Sequence, residues 1–537
     1  MKFYFGAMRM KKILAVDGIS AKGIEMLRAE FEVDVHDKIS REELLEIIPN
    51  YDALMIRSAS KITADVINRA DKLKIIGRAG VGVDNIDLNA ATARGIIVIN
   101  SPGGNTIAAT EHTLAMMLSM ARNIPIANQT VHQGQWNRKD YVGVELKGKT
   151  LGVVGMGRIG AGVAKRAIAF GMKVIGYDPY LSEERANDLG VKVGTFDELI
   201  STSDFITVHM PLTPDTKNMI AMPQMKRMKS GVRLINCARG GIINEQDLAT
   251  ALKEGLVAGA AIDVFVDEPI PADHPLLGIK NVVLTPHLGA STVEAQIGVS
   301  LDVAEGIRAA LNGEPVTAAV NMAPVSQQVM RIIAPYLNLA ERLGATICAL
   351  AEGAVQKLEV TYNGEITEVN TGLLTTAVIK GLLNPVLEKE VNYVNAPMFA
   401  KERGIRIVEV KHKESEDFTN LITVTAYSKD KTCTVKGTLF GTEGRIVEID
   451  HFRVDVDPHE RLLVCPHINR PGVIGSIGTL MGKRGINISG MQVGKTEIQG
   501  RNLMVLTIDN DIPIDVLNEI KALDAIFDAK VVNFYAV

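Results

Sequence analysis

From Ile13 to Leu284, short apolar runs alternate with stretches of helical periodicity. Short apolar runs bounded by turn residues are typical of buried strands, and strands that alternate with helices are typical of a parallel sheet covered on both faces. We therefore predict two α/β units. The predicted strands are Ile13–Val16, Ala53–Ile56, Ile75–Ile76 and Ile96–Ile99 in the first unit, and Leu151–Val154, Val174–Tyr177, Phe205–His209, Arg233–Cys237, Val257–Val264 and Asn281–Leu284 in the second.

A long amphipathic stretch, Thr292–Leu311, follows the last predicted strand and ends at Asn312-Gly313. Glycine just past a periodic stretch is typical of a helix C-terminus. Because no strand follows directly, we predict that this helix returns to the first unit and makes that unit discontinuous. The segment that begins at Glu314-Pro315 and ends at Pro324 is predicted to be a linker.

Two further units are predicted beyond this linker. Residues 325–456 combine a long helical stretch, Val329–Ala351, with strand-like segments, and they contain no catalytic pattern. Residues 460–537 follow the order strand, helix, strand, strand, helix, strand, which is the order of a ferredoxin-like fold.

These elements predict a chain of the α/β class. A Rossmann-type doubly wound parallel sheet is inserted in a flavodoxin-like α/β domain, and an α+β domain and a ferredoxin-like βαββαβ domain follow. The predicted boundaries are 1–106 and 292–322 for the discontinuous first domain, 107–291 for the inserted domain, 323–456 for the third and 457–537 for the last.

Composition narrows the class of protein. A chain of 537 residues is too long for one core and predicts about three or four domains. Lys+Arg 58 against Asp+Glu 62 gives a net charge of -4 without a basic stripe, which argues against nucleic acid and anionic membranes as partners.

The four cysteines form no C-x-x-C pair, so neither a disulfide framework nor a metal site is predicted. No run has the length of a membrane span and the N-terminus lacks a long apolar region, so we expect a cytoplasmic protein.

The glycine pattern Gly155-x-Gly157-x-x-Gly160 directly follows a predicted strand, and Asp178 ends the next one. Strand, glycine turn, helix, strand and acid together form the dinucleotide-binding fingerprint. The first glycine permits the turn, the second lets the backbone approach a pyrophosphate, and the third lets the helix pack on its strand. Asp178 would accept hydrogen bonds from ribose hydroxyls, and a 2′-phosphate would meet its carboxylate. We therefore predict NAD rather than NADP.

Three polar segments follow later strands of the second unit, at the sheet edge where doubly wound folds bind ligands. They contain Arg239, Glu268 and His287. An enzyme that oxidises an alcohol with a nicotinamide cofactor needs a base for the hydroxyl proton and a cation for the substrate. A guanidinium offers two parallel donors to a carboxylate, and a carboxylate beside an imidazole stabilises its protonated form. Each residue alone is more often structural, but their placement after successive strands predicts a catalytic site.

These segments, the glycine fingerprint and the segment Gly80–Asp87 resemble the D-isomer-specific 2-hydroxyacid dehydrogenase family over residues 10–320. The resemblance implies that Arg239 binds and polarises the substrate's carboxylate and keto group, that His287 is the general acid and base, and that Glu268 holds and charges His287. The implied cofactor contacts are Val81, Gly155, Gly157, Arg158, Ile159, Gly160, Asp178, Pro211, Cys237, Ala238, Arg239, Asp263, His287, Gly289 and Ala290, among which Asp263 faces the nicotinamide carboxamide. The implied substrate contacts are Arg57, Ser58, Arg78, Gly80, Val81, Asn105, Arg239 and His287. Cys237 is also consistent with a small apolar strand residue.

The C-terminal unit resembles an ACT domain, an amino-acid-sensing module. The resemblance implies that His467, Asn469 and Asn487 hold L-serine as an effector across an interface between paired sheets. A ferredoxin-like module used only for dimerisation is the alternative. A homodimer or homotetramer is implied, in which Arg138-Lys139 reaches the site of a neighbouring subunit or forms ordinary surface charge.

The succession of dehydrogenase, intervening domain and ACT domain is similar to the long-form members of the family. That similarity implies 3-phospho-D-glycerate as the substrate and the first step of L-serine synthesis as the role. The phosphate would then be bound by Arg57 or Arg78, and the backbone N–H groups of 79–81 would meet the carboxylate. Two other functions stay open, a glyoxylate or hydroxypyruvate reductase and a non-enzymatic NAD-dependent switch similar to a corepressor. The former normally lacks the two C-terminal domains, and the latter carries disordered tails.

Overall fold

A computed structural model describes residues 9–316, 318–415, 417–429, 431–495 and 500–534. Five parallel strands form its first sheet: β1 (Lys12–Val16), β2 (Glu32–His36), β3 (Ala53–Ile56), β4 (Ile75–Arg78) and β5 (Ile97–Asn100). Their order, β2-β1-β3-β4-β5, is the flavodoxin-like order. No apolar run predicts β2, because its valines alternate with polar residues along an edge strand. The helices between these strands are α1 (Ala21–Arg28), α2 (Arg41–Ile47), α3 (Ala64–Arg69) and α4 (Leu88–Ala93).

Seven parallel strands form the second sheet: β6 (Thr150–Val154), β7 (Lys173–Tyr177), β8 (Lys192–Val193), β9 (Phe205–Val208), β10 (Arg233–Asn236), β11 (Gly259–Ile262) and β12 (Val282–Leu284). Their order is β12-β11-β10-β9-β6-β7-β8. The chain order therefore reverses between β6 and β9, where doubly wound sheets open a crevice for a dinucleotide. The accompanying helices are α5 (Thr106–Ala121), α6 (Ile124–His132), α7 (Arg158–Ala169), α8 (Glu183–Leu189), α9 (Phe196–Thr202), α10 (Met222–Met225) and α11 (Glu245–Lys253).

Helix α12 (Val293–Asn312) packs on the first sheet, although it follows the second in sequence. Val299, Val303 and Ile307 lie in one core with the apolar side chains of β1 and β4. Burial of each such side chain contributes about 2 kcal/mol. The segment after α12, predicted to be a linker, is partly a sheet edge, because the N–H of Val320 donates to the Val98 carbonyl oxygen at 2.7 Å. The predicted domain boundaries stay a prediction.

The third sheet contains six strands in the order β14-β13-β15-β16-β17-β18: β13 (Lys357–Gly364), β14 (Arg406–His412), β15 (Asn420–Tyr427), β16 (Thr432–Phe440), β17 (Glu443–Ile449) and β18 (Phe452–Val456). Helices α13 (Gln327–Leu350), α14 (Gly372–Leu383) and α15 (Ala396–Glu402) accompany it. Gly344 and Gly381 let α13 and α14 approach closely. A Cβ on Gly344 would lie 2.0 Å from a carbonyl oxygen of α14, and a Cβ on Gly381 would lie 1.8 Å from a carbonyl oxygen of α13.

The last sheet is antiparallel, with the order β20-β21-β19-β22: β19 (Arg461–Ile468), β20 (Ile488–Lys495), β21 (Arg501–Ile508) and β22 (Lys530–Val532). Helices α16 (Val473–Lys483) and α17 (Ile514–Lys521) cover one face, as the predicted βαββαβ order requires. The other face joins the core around α13, to which Leu462, Val464 and Val505 contribute. Among the residues described, no helix combines the length and apolar character needed to cross a bilayer.

Candidate active site

The glycine turn after β6 has the geometry that the fingerprint requires. Gly155 has a φ of +94°, a conformation that favours glycine. A Cβ on Gly160 would lie 2.0 Å from the Gly155 carbonyl oxygen, so the first turn of α7 approaches the strand more closely than any side chain allows. Gly157 stands just before α7, and the N-terminus of this helix directs backbone N–H groups towards the crevice. Arg158 donates to the Pro102 carbonyl oxygen at 2.7 Å and thereby bridges to the first unit.

Asp178 lies just past the end of β7 and supports the same turn. Its carboxylate accepts the backbone N–H of Met156 at 2.8 Å and that of Tyr180 at 2.9 Å. Each carboxylate oxygen can accept a further hydrogen bond, so the ribose hydroxyls predicted to bind here still have acceptors.

Replacing Asp178 with alanine should weaken the preference for NAD over NADP by about tenfold, because the variant loses an acceptor for ribose and a negative charge that repels a 2′-phosphate. The measurement is kcat/KM with each cofactor. Asp188→Ala, which removes a carboxylate from neighbouring α8, is the control. An unaltered cofactor ratio would contradict the predicted role of Asp178.

Glu268 and His287 are brought together from the loops after β11 and β12. Glu268 Oε2 lies 2.7 Å from His287 Nδ1, and Glu268 Oε1 accepts the Phe265 N–H at 3.0 Å. Burial opposes the ionised form of Glu268, but the hydrogen bond from His287, the Phe265 N–H and the charge of His287 together lower the pKa of Glu268. Both side chains remain accessible, with 37% and 43% of their surfaces exposed. His287 can therefore exchange a proton with a ligand in the crevice.

Arg239 and Arg78 approach the same point from opposite units. A Cβ on Gly82 would lie 2.0 Å from Arg239 Nη2, and a Cβ on Gly80 would lie 1.7 Å from Arg78 Nη1, so both guanidinium groups lie against the loop after β4. Asp84 accepts from Arg239 Nε at 3.0 Å. Burial, and secondarily the charge of Arg239, lowers the pKa of Arg78 to about 10. Arg78 Nε is buried and has no hydrogen-bond partner among the described residues. An anion bound here would supply the missing acceptor and balance two like charges.

The loop that carries Arg57 and Ser58 is held from two sides. Asp17 accepts the N–H groups of Arg57 and Ser60 at 3.0 Å each. Asn85 donates to the carbonyl oxygens of the same two residues at 2.8 and 2.6 Å. These four bonds fix the backbone beside Arg78, and Ser58 is exposed there. The charge of Arg57 adds to the pKa depression of Arg78, which places a third arginine near the pair.

The other predicted contacts differ in their hydrogen bonds and in their exposure. The Val81 carbonyl oxygen accepts from the Asn100 side chain, and Asn105 precedes α5 with a buried Oδ1 that lacks a partner among the described residues. The Ala238 N–H donates to Asn236 Oδ1 at 3.0 Å. Of the remaining predicted contacts, Pro211 is exposed, Ile159 and Ala290 are half-buried, and Gly289 is buried.

Cys237 and Asp263 are both buried. Burial, followed by the charge of Asp263, raises the pKa of the Cys237 thiol to about 12, so this cysteine is not a nucleophile at neutral pH. The Asp263 side chain is fully buried, and its oxygens accept hydrogen bonds from the chain itself. His112, Cys237 and Asp263 each offer an atom that could bind a metal ion, and these atoms lie within 4.8 Å of one another. The carboxylate oxygens of Asp263, however, already accept hydrogen bonds from N–H and O–H groups.

Four residues of the site were not predicted from the sequence. Asp84 and Asn85 belong to the Gly80–Asp87 segment, whose acids and amides were a signal that the resemblance left unassigned. Asp17 follows β1, and the carboxyl end of a strand was a signal there. His112 lies on α5 and has no local signal, since only the tertiary fold brings it to Asp263.

Three family models match the chain. The D-isomer specific 2-hydroxyacid dehydrogenase NAD binding domain matches residues 114–289, and the D-3-phosphoglycerate dehydrogenase intervening domain matches 332–450. The ACT domain matches 463–525. The order of the three matches is the order predicted for the chain.

Curated relatives match almost the whole chain. D-3-phosphoglycerate dehydrogenase of Synechocystis sp. is 46% identical over 531 residues, which is 98% of this chain and 96% of that protein. D-3-phosphoglycerate dehydrogenase of Archaeoglobus fulgidus is 46% identical over 525 residues, which is 97% of this chain and 100% of that protein. The chain belongs to the D-3-phosphoglycerate dehydrogenase family. The family predicted from the motifs is thereby confirmed.

Members of the D-3-phosphoglycerate dehydrogenase family share their catalytic fold with other dehydrogenases. A solved structure of NAD-dependent formate dehydrogenase from Staphylococcus aureus in complex with NAD is similar with a TM-score of 0.52 and 32% identity, over 57% of this chain and 96% of that one. The chain is an NAD-dependent dehydrogenase, and the predicted cofactor and fold class are confirmed.

A single chain does not bring the three predicted effector residues together. His467 pairs with Asn502 at one end of β21, whereas Asn487 precedes β20, whose first residue pairs with Ile508 at the other end. The His467 side chain is 2% exposed, its Nδ1 donates to the Ile468 carbonyl oxygen at 2.9 Å, and its buried Nε2 has no partner among the described residues. Asn469 comes two residues after His467 and is exposed.

Proposed function

We propose that the protein oxidises 3-phospho-D-glycerate to 3-phosphooxypyruvate with NAD, the first step of L-serine biosynthesis. The observation that carries the proposal is the approach of Arg78 and Arg239 to one loop, with Arg57 near them. Three guanidinium groups suit a substrate that carries both a carboxylate and a phosphate. The full-length similarity to D-3-phosphoglycerate dehydrogenases supports the same substrate.

Each catalytic residue has a separate part in the proposed reaction. His287 takes the proton of the substrate hydroxyl through the ring nitrogen that does not face Glu268. Glu268 fixes the orientation of the imidazole and stabilises the imidazolium that forms. Arg239 binds the substrate carboxylate and polarises the carbonyl as it develops. NAD, held by Asp178 and the N-terminus of α7, would supply the acceptor for the hydride when bound.

The phosphate and the carboxylate are assigned by charge and donor type. Arg57 or Arg78 binds the phosphate, because Arg57 follows β3, Arg78 ends β4, and the Arg78 guanidinium lies against the loop after β4. Of the backbone N–H groups of 79–81, those of Ala79 and Gly80 already donate to the carbonyl oxygens of Ile56 and Arg78, which leaves the N–H of Val81 as the further donor for the carboxylate beside Arg239. Of the cofactor contacts, Asp178 binds the ribose and the N-terminus of α7 binds the pyrophosphate.

The first test compares NAD-linked turnover of 3-phospho-D-glycerate with that of D-glycerate, each with and without millimolar L-serine. We expect a preference of about 100-fold or more for the phosphorylated acid, since loss of a charge-assisted phosphate contact costs about 3 kcal/mol. Arg78→Met should reduce this preference. Equal turnover of both acids would favour a general hydroxyacid reductase, and absence of turnover would favour the non-enzymatic switch.

We further propose that L-serine binds at the ACT domain and lowers turnover. The unpartnered His467 Nε2 and the exposed Asn469 form one half of a polar site, and Asn487 of a second copy supplies the other half. His467→Ala should abolish the response to serine and leave uninhibited turnover unchanged, with Asn502→Ala as a neighbouring control on β21. Equal inhibition of the variant and the parent enzyme would exclude His467 from the effector site.

We infer an assembly of two or four copies, which the proposed effector site and the exposed surface of α6 support. None of the residues of α6 is buried, and Trp136 and Val142 beyond it are each 83% exposed. Apolar residues left uncovered over one segment suit contact with a second copy, which would place Arg138 and Lys139 near its crevice. Sedimentation should give the mass of two or four chains, and Trp136→Asp should shift it towards one; a monomeric parent enzyme would contradict the proposal.

A further inference from the structure

The loop that carries His287 is fixed by the buried residue Asp263. The Asp263 carboxylate accepts from Thr285 Oγ1 at 2.6 Å, from the Leu288 N–H at 2.7 Å and from the Gly289 N–H at 3.0 Å. Its carbonyl oxygen accepts the His287 N–H at 2.9 Å. One acidic residue thus binds the backbone of three consecutive loop positions.

The loop needs this support because His287 has a φ of +56°, in the left-handed region that residues other than glycine seldom adopt. In that conformation the imidazole meets Glu268 at 2.7 Å. Any change in the hydrogen bonds of Asp263 therefore acts on the orientation of His287.

His112 lies within hydrogen-bond distance of this carboxylate. Its Nε2 lies 3.1 Å from Asp263 Oδ1 and 3.3 Å from Thr285 Oγ1. His112 belongs to α5, which packs on β10, β11 and β12. His112 lies outside the segments that carry the catalytic motifs.

The other titratable groups that face Asp263, among the described residues, cannot take this part. Cys237, from the end of β10, is a neutral thiol because its pKa is about 12. Glu268, from the loop after β11, is an acid and repels Asp263. His287, from the loop after β12, directs its Nδ1 to Glu268. His112 is therefore the titratable side chain that can donate a hydrogen bond to Asp263.

We propose that His112 is a positioning residue of the reaction, which holds Asp263 in the ionised form that fixes the turn at 287–289 and so directs His287 between Glu268 and the substrate. The inference deepens the proposed function and rests on His287 as the acid and base. An ionised carboxylate accepts from every N–H that faces it, whereas a protonated one would direct an O–H at a neighbour.

The charge state of Asp263 agrees with this role. Burial acts to raise the pKa of Asp263, but the hydrogen bonds from His112, Thr285 and Leu288, together with the charge of His112, hold it below its usual range. Without His112, Asp263 should keep its proton to higher pH. The loop would then lose an acceptor at the acid side of the working range.

The test uses His112→Phe and His112→Gln in the full chain. We expect His112→Phe to lower kcat by about tenfold, the value of one charge-assisted hydrogen bond, with KM for NAD and the melting temperature little changed. In the profile of kcat against pH, the acid limb of His112→Phe should move to higher pH, because Asp263 becomes protonated at a higher pH. His112→Gln, which keeps an N–H donor but no charge, should retain more of kcat and still show the shift.

A double-mutant cycle with Asp263→Asn separates a positioning role from a merely structural one. If His112 acts through Asp263, adding His112→Gln to Asp263→Asn should cost little more. Unchanged kcat and an unchanged pH profile in both His112 variants would overturn the inference, as would weaker NAD binding with the profile of the parent enzyme. If His112→Phe does not fold, the profile of His112→Gln decides. Should His287→Ala remain active, the proposed function would fail instead, which keeps the two failures distinct.

Discussion

His287→Ala should lower kcat by about a thousandfold or more, because the variant has no group at that place to take the hydroxyl proton. NAD should bind with nearly unchanged affinity, since the glycine turn and Asp178 lie at other strands of the sheet. The measurement is steady-state turnover together with NAD binding by fluorescence. His459→Ala, at a histidine whose side chain is 53% exposed outside the crevice, is the matched control. Unchanged turnover of His287→Ala would exclude His287 as the acid and base.

Replacing Glu268, the partner of His287, should shift the pH–rate profile in a definite direction. Glu268 keeps its negative charge at neutral pH, because its pKa is lowered by the bond from His287 and by the Phe265 N–H against the effect of burial. In Glu268→Gln the imidazolium loses that charge, so the acid limb of the pH–rate profile for oxidation should move to lower pH. This direction is opposite to the one expected for His112→Phe. A profile that stays in place would mean that Glu268 does not stabilise the protonated form of His287.

Arg239→Lys should lower kcat/KM for 3-phospho-D-glycerate by about 100-fold, because an ammonium group cannot reproduce a two-pronged bond to a carboxylate. Both kcat and KM should change, since Arg239 binds the carboxylate in the ground state and polarises the carbonyl in the transition state. The loss should be smaller for Asp84→Asn, which disturbs only the orientation of Arg239 Nε.

Arg233→Lys is the matched control for this variant. Arg233 begins β10, the strand after which Arg239 lies, and its guanidinium stacks over the Phe205 ring at 5.7 Å. It therefore lies at the end of the strand remote from the crevice, and its kcat/KM should stay within about twofold of the parent value. A loss in Arg233→Lys as large as that in Arg239→Lys would show that the effect is not specific to the site.

The elements predicted from apolar runs are those whose residues are buried on both faces. Strands β1, β3 and β9 are mostly apolar and lie inside their sheets, and each was predicted within one residue at either end. Strand β2 was missed because half of its residues face solvent at a sheet edge. The strand-like segments predicted within 325–456 were Lys357–Tyr362, Ile405–Lys411 and Leu421–Tyr427. Strands β16 and β17 were missed for a related reason, since their buried residues are interspersed with Thr, Lys and Glu.

The sequence by itself determined the family, the cofactor class and the strands that carry Arg239, Glu268 and His287, because glycine turns and strand ends leave local patterns. Only the tertiary structure decided which side chains meet. That Asp263 faces the cofactor stays a prediction, whereas its hydrogen bonds from Thr285, Leu288 and Gly289 appear only in the fold. His112 reaches Asp263 from 151 positions earlier in the numbering, across the face of a sheet. Contacts between distant segments depend on how helices pack on sheets, and no local pattern records that packing.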